Sequence, residues 1–204
     1  MRVFIFARHA ESAANVAHVL SSDPSHSAPL TTRGRLEALE LGARLANLKI
    51  DLAVTSRFLR TRQTVDVALR GRDVPILIEP RLDEVRAGSL DGKPIATYWA
   101  WKENHAPSER FPEGESLDDA VRRYANALRD LLRRKEAVTL VVVHELALRY
   151  FVMAAAEPAS SPTDVSIPNA ALYLFDETAL QRARERLDAL APPSSFELPN
   201  AEAA

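Results

Sequence analysis

Two short apolar runs in this chain end on histidine. Residues 3–7, VFIFA, lead into Arg8 and His9, and residues 138–143, VTLVVV, lead into His144; the chain holds only five histidines. An imidazole fixed at the end of a buried strand is appreciably neutral near pH 7 and can attack an electrophile through one ring nitrogen. An arginine beside it offers a planar fork of donors to an oxyanion such as phosphate. The plain alternative is that strands must leave the core somewhere and commonly do so on polar residues. Two histidines near acids also suggest a zinc or iron site, but no His-x-x-x-His or similar ligand pair supports one.

The elements that would position these residues follow from periodicity. Short β-branched runs at 3–7, 51–56, 74–78, 138–143 and 170–175 read as strands. Between them lie helical periods at about 32–47, 58–70, 117–135, 146–156 and 177–190. Thr31 or Thr32 can cap the first of these, and Ser116 with Asp119 makes a capping box for the third. Alternation of this kind predicts a three-layer α/β/α fold with a mainly parallel central sheet. The unbroken apolar run 138–143 suits a strand covered on both faces.

Ligands of such sheets sit beyond the carboxyl ends of the strands. Residues at those ends should therefore be chemically related. Ser56 follows the second strand, with Arg60 in the first turn of the next helix, and the loop after the third strand carries Glu84. Two histidines, two arginines and an acid thus fall where one site would form.

Residues 86–116 break the alternation. They hold three of the six glycines, three prolines and both tryptophans, with a short helix expected around Ile95–Lys102. A loop-rich stretch this long inside a compact domain is usually functional or disordered, and it reads as a lid inserted over the strand-end site. The alternative is a surface excursion pinned by its aromatics. Residues 1–191 then make one domain, and the Pro/Ser/Ala-rich tail 192–204 is expected to be flexible.

Bulk composition narrows the function classes. The chain is 47% hydrophobic and 26% charged, ordinary for a globular protein. Lacking cysteine, it has no disulfide framework, thiolate metal site or cysteine nucleophile. A net charge of −2 without a basic block gives no field for nucleic acid. No stretch approaches the roughly 20 apolar residues of a membrane span. The first residues are too short an apolar run for a signal peptide, so a cytoplasmic location is expected. Composition points to neither nucleic acid nor membrane as a partner and leaves a homodimer open. The small phosphorylated substrate expected for the site is what the motif resemblance below implies.

Six blocks in order carry a resemblance. RHAES (8–12) with Asn15, LTTRGRLEA (30–38), TSRFLRTRQT (55–64), LDEVRAGSLDG (82–92), FPEGES (111–116) and VVVHELALR (141–149) resemble the signature segments of the histidine phosphatase superfamily, the phosphoglycerate mutase-like fold. The resemblance implies that His9 is the nucleophile, forming a transient phosphohistidine while its other ring nitrogen donates to a backbone carbonyl. Arg8 and Arg60 would clamp the phosphoryl oxygens, and His144 would hydrogen-bond the phosphoryl group. Glu84 would protonate the leaving oxygen and later serve as base for water, in preference to its neighbour Asp83. Ser12 and Asn15 would be phosphate-site donors and Glu11 a support. Arg57, Arg62 and Arg149 read as structural or peripheral, and Asn169 and the remaining histidines carry no assigned role.

Two positions depart from the family pattern. Ala10 and Glu145 stand where glycines are usual. A carboxylate aimed at a phosphate site would repel it, so the Glu145 side chain is expected to point away. Cofactor-dependent mutases of the family carry an arginine and tyrosine after the acid and an arginine pair in the insertion. Here Val85 follows Glu84 and no such pair occurs, which favours a phosphatase needing neither metal nor cofactor. A mutase, or a protein that binds phosphorylated ligands with little turnover, is the alternative.

Overall fold

The computed structural model of this protein describes residues 2–157 and 167–191; the tail assigned to 192–204 lies outside them. Its centre is a five-stranded sheet in the order β3-β2-β4-β1-β5. The strands are β1 (Val3–Arg8), β2 (Leu52–Thr55), β3 (Ile76–Ile78), β4 (Val138–Val143) and β5 (Leu172–Asp176). Neighbours among β1 to β4 run parallel, and β5 closes the β1 edge antiparallel. The sheet is therefore mixed but mainly parallel, and helices flank both faces.

Alternation along each strand assigns its residues to those faces. Phe4, Phe6, Val54, Val141 and Val143 pack with α5 (Leu117–Arg133), α6 (Glu145–Ala155) and α7 (Glu177–Leu190). Ile5, Ala7, Ala53, Leu140 and Val142 face α2 (Thr32–Arg44) and α3 (Leu59–Ala68). Central strands buried on both faces need apolar residues at every position, which is why β4 reads as an unbroken run.

Local chemistry starts the helices where the sequence placed them. Thr31 Oγ1 accepts from the Gly34 amide at 2.9 Å and opens α2. The Ser116 and Asp119 side chains accept from each other's backbone amides at the start of α5. One helix was not anticipated. Five residues, Ala13–Ala17, form α1, too short to display a helical period.

The insertion 86–116 is not a loose excursion. It contains α4 (Ile95–Glu103), and its Leu90, Tyr98 and Phe111 belong to the core cluster under α5. Tyr98 stacks on Phe111 at 5.6 Å between ring centroids. The preceding strand-end segment is stitched to it: Leu20 donates to the Lys93 carbonyl at 2.8 Å and Ile95 to that of His18 at 2.9 Å. Both walls beside the β1 end are thus held by backbone bonds as well as by aromatic packing.

Candidate active site

The parallel topology brings the ends of β1, β2 and β4 together, and the strand-end residues meet there. A cleft of about 140 Å³ opens at this point, lined by Arg8, His9, Ser12, Asn15, Arg60 and Glu84 among others. His144 does not line it. It lies fully buried behind Arg60, with its ring 4.7 Å from that of Phe58 and 5.4 Å from that of His9.

Hydrogen bonds define both imidazole tautomers. Arginine carries only donors, so a ring nitrogen facing it must accept. Arg60 Nε donates to His9 Nε2 at 3.1 Å, leaving the proton on Nδ1, which donates to the Ala10 carbonyl at 2.8 Å. His9 Nε2 therefore carries the lone pair. Arg60 Nη2 likewise donates to His144 Nδ1 at 3.0 Å, so His144 Nε2 holds the proton and donates to Ser56 Oγ at 2.9 Å. The Arg60 fork is completed by Ser21, whose hydroxyl and carbonyl accept at 2.9 and 3.0 Å.

The backbone under His9 is fixed from two sides. Its amide donates to Val143 at 2.9 Å, extending the β1–β4 ladder. Its carbonyl accepts from the Asn169 side chain at 2.9 Å. The next amide, Ala10, donates to Thr64 Oγ1 at 3.1 Å, and Thr64 in turn donates to the Arg60 carbonyl at 2.7 Å. The same helix thus positions Arg60 and the loop carrying the imidazole.

Burial and the two arginines keep both histidines neutral. Desolvation first, then the Arg60 charge, pushes His9 and His144 well below the ordinary imidazole range; Arg8 adds to the effect at His9. Burial also lowers Arg60 to about 10, still charged at neutral pH. Burial raises the Glu84 carboxyl above the usual carboxylate range, against the opposing pull of Arg60. Glu84 Oε2 stands 4.0 Å from His144 Nδ1, and Oε1 accepts from the Val85 amide at 3.0 Å.

The remaining predicted residues divide by partner. Asp83 is bound to Arg57 Nε at 2.7 Å and to the Arg57 amide at 2.9 Å, so of the two neighbouring acids it is Glu84 that lines the cleft. Ser12 donates its hydroxyl proton to Asn15 Oδ1 at 2.9 Å, and its amide donates to the same oxygen. Glu11 lies outside the cleft and accepts from Thr31 Oγ1 at 2.7 Å. Arg8 Nη1 donates to the Ile167 carbonyl at 2.6 Å, and its buried Nε has no hydrogen-bond partner among the described residues.

One expectation is overturned. Glu145 does not turn away: it lines the cleft, with Oε2 3.0 Å from Arg8 Nη1 and Oε1 accepting from Arg149 Nη2. Two arginines, Arg8 and Arg149, draw its carboxylate to the cleft wall. Arg149, read as peripheral, lines the cleft as well.

Sequence reasoning missed Arg123 altogether. Its guanidinium, on α5, donates to the carbonyls of Arg81, Asp83 and Glu84 at 2.8, 2.7 and 3.0 Å and pairs with Glu115 at 2.6 Å. It holds the loop that carries Glu84. Nothing local marks it among the arginines of an amphipathic helix. Ser21 and the positioning role of Asn169 were also missed, since both act through backbone geometry. Among the described residues no three His, Asp or Glu side chains converge as ligands for a metal ion.

Comparison with known proteins decides the family. Residues 4–189 match the model of the histidine phosphatase superfamily, branch 1. The chain belongs to the histidine phosphatase superfamily. Among its curated relatives, a probable phosphoglycerate mutase GpmB of Proteus mirabilis is 30% identical over 149 residues, covering 69% of this chain and 68% of that protein. The mitochondrial serine/threonine-protein phosphatase Pgam5 of Drosophila virilis is 32% identical over 84% of this chain, which spans only 57% of its length. The crystal structure of the α-ribazole phosphatase from Shigella flexneri shares the fold, with a TM-score of 0.76 at 24% identity over 85% of this chain and 90% of that one. This histidine phosphatase superfamily member thus has relatives named both as mutases and as phosphatases. The mainly parallel sheet anticipated from the alternation of strands and helices, made mixed by the antiparallel β5, is the family's fold. Among the described residues no helix is long and apolar enough to cross a membrane.

Proposed function

We propose that this chain is a phosphomonoester hydrolase acting through a phosphohistidine at His9 on a small phosphorylated metabolite, without a metal ion. The observation that carries this reading is the His9 tautomer: an unprotonated Nε2 beside Arg60, on a cleft that Arg8 and the protonatable Glu84 also line. The names borne by relatives, phosphatase and mutase, agree with phosphoryl transfer in either form.

In the first step Arg60 Nε releases His9 Nε2 for the phosphoryl oxygens. The freed lone pair attacks phosphorus, and the bond to the leaving oxygen breaks as Glu84 gives that oxygen its proton. Arg8 and Arg60 take up the charge on the equatorial oxygens, the part a metal ion plays elsewhere. The bond from Nδ1 to the Ala10 carbonyl stabilises the imidazolium that carries the phosphoryl group. In the second step Glu84, now a carboxylate, takes a proton from water as its oxygen attacks phosphorus. The P–N bond breaks, its electrons return to Nε2, and inorganic phosphate leaves. Asn15 supplies a phosphate contact through its amide nitrogen, since its oxygen is held by Ser12. His144 acts through Arg60, whose outer nitrogen it anchors.

The GpmB relative favours a second reading, transfer to a bound phosphoglycerate rather than to water. Hydrolysis of an aryl phosphate in excess chelator tests the first. Turnover that persists with chelator and vanishes in His9→Ala supports it; turnover that survives His9→Ala rejects it. Phosphoryl transfer to phosphoglycerate with none to water would give the mutase reading its place.

A further inference from the structure

Beyond the phosphoryl site the cleft changes character. Its outer wall is apolar and aromatic, built from Leu20, Ile95, Tyr98, Trp99 and Leu146. Trp99 is 42% exposed, presenting its ring rather than burying it. Arg149, the third arginine on the cleft, is the natural partner for a charged group on a leaving moiety. Glu145 occupies it. One carboxylate oxygen binds Arg149 and the other lies 3.0 Å from Arg8, so a single side chain bridges both guanidinium groups. Glu145 opens α6, where the helix N-terminus favours a negative charge. Lys102 rests 5.3 Å from the Trp99 ring centroid and does not line the cleft.

We propose that Glu145 is the leaving-group selector of this site. By neutralising Arg149 and placing its own charge beside Arg8, it turns the cleft against phosphomonoesters whose leaving group carries a carboxylate. It favours those whose leaving group is apolar and uncharged, or apolar with a cationic end. A carboxylate entering the outer cleft must either displace Glu145 from Arg149 or sit beside its charge, and like charges at close range repel even where solvent screens them in part. An uncharged ring meets only the apolar wall. The inference rests on the phosphatase reading and names the substrate class it serves.

Three esters with one ring test it: phenyl phosphate, 4-carboxyphenyl phosphate and 4-(aminomethyl)phenyl phosphate. Because ring substituents alter the leaving oxygen, the readout is the ratio of kcat/KM values and its change between variants. Glu145→Gln keeps the side-chain shape and is expected to raise the carboxyphenyl-to-phenyl ratio about tenfold, a partly screened charge interaction. It should lower the aminomethyl-to-phenyl ratio. Arg149→Met leaves Glu145 uncompensated on that side and should shift the carboxyphenyl ratio the opposite way. This variant keeps the test open should Glu145→Gln fold poorly, which thermal melts would show. Equal losses on all three esters would make Glu145 a positioning residue for Arg8 and overturn the proposal. An unmodified protein that turns over none of them would overturn the phosphatase reading, and this inference with it, before any ratio is taken.

Discussion

Arg60 Nε lies 3.1 Å from His9 Nε2 and donates to it. The nitrogen proposed as nucleophile is therefore held unprotonated by the arginine proposed to bind the group it attacks. The same guanidinium donates to His144 and is braced by Ser21. One side chain thus sets two tautomers. A lysine offers no fork and cannot hold these partners together. Arg60→Lys is expected to lower kcat/KM about a hundredfold with the fold intact, as loss of a fixed transition-state donor does. Steady-state kinetics alongside circular dichroism check it, and near-normal activity would contradict it.

The acid limb and the alkaline limb of the pH profile report different residues. kcat/KM follows the free protein's essential groups. His9 must be neutral to attack, and burial with two arginines holds it well below the ordinary imidazole range. Its protonation therefore limits activity only in acid well below neutrality. Glu84 must be protonated to help the leaving group, and burial raises it; as pH climbs through that raised value the proton is lost and activity falls. Glu84→Gln is expected to abolish this alkaline limb and to cost about a hundredfold or more in rate. A profile whose alkaline limb is unchanged in Glu84→Gln would assign the acid elsewhere.

Arg123→Met removes the donor to three carbonyls and leaves Glu115, which is 9% exposed, without its ion-pair partner and with only the Arg86 amide as a donor among the described residues. Stranding one half of a buried pair costs about 3 kcal/mol or more. The variant should melt at lower temperature and lose activity together, because the loop it releases carries Glu84. A stable variant with normal kinetics would show that the loop holds itself.

Gly34→Ala tests how closely α2 supports the loop after His9. A Cβ at Gly34 would fall 2.0 Å from the Glu11 carbonyl oxygen, a backbone atom that cannot swing aside. Overpacking of this kind costs about 1–3 kcal/mol. Denaturant unfolding should show the loss, and activity should drop as the Arg8–Ser12 turn shifts. An unchanged midpoint would mean that the helix slides without consequence.

Strand ends and motif order carried the site because they reflect topology: β1, β2 and β4 are neighbours, so Arg8, His9, Ser56 and His144 had to converge. What escaped depends on contacts between distant segments. Arg123 reaches the Glu84 loop across about forty positions, and no local pattern distinguishes it from Arg122. The five residues of α1 are too few for a period. Glu145 was misplaced because its charge was weighed against the phosphate alone. Its partner Arg149 lies four residues on, one helical turn away, and that spacing was visible. The stretch 86–116 reads in sequence as a lid, with an excursion pinned by its aromatics as the alternative. The depth of Tyr98 and Phe111 was not legible, since they stack on each other within a core cluster drawn from distant segments.

The central claim is a covalent bond between phosphorus and one nitrogen of His9. Mixing the protein with a phosphomonoester labelled in its phosphoryl group, quenching in alkali within milliseconds and mapping the labelled peptide tests it directly. The account predicts label on His9 Nε2, stable to base and lost in acid, and none in His9→Ala. Turnover of the same ester without label on the protein at any time, or label carried by another residue, would contradict it.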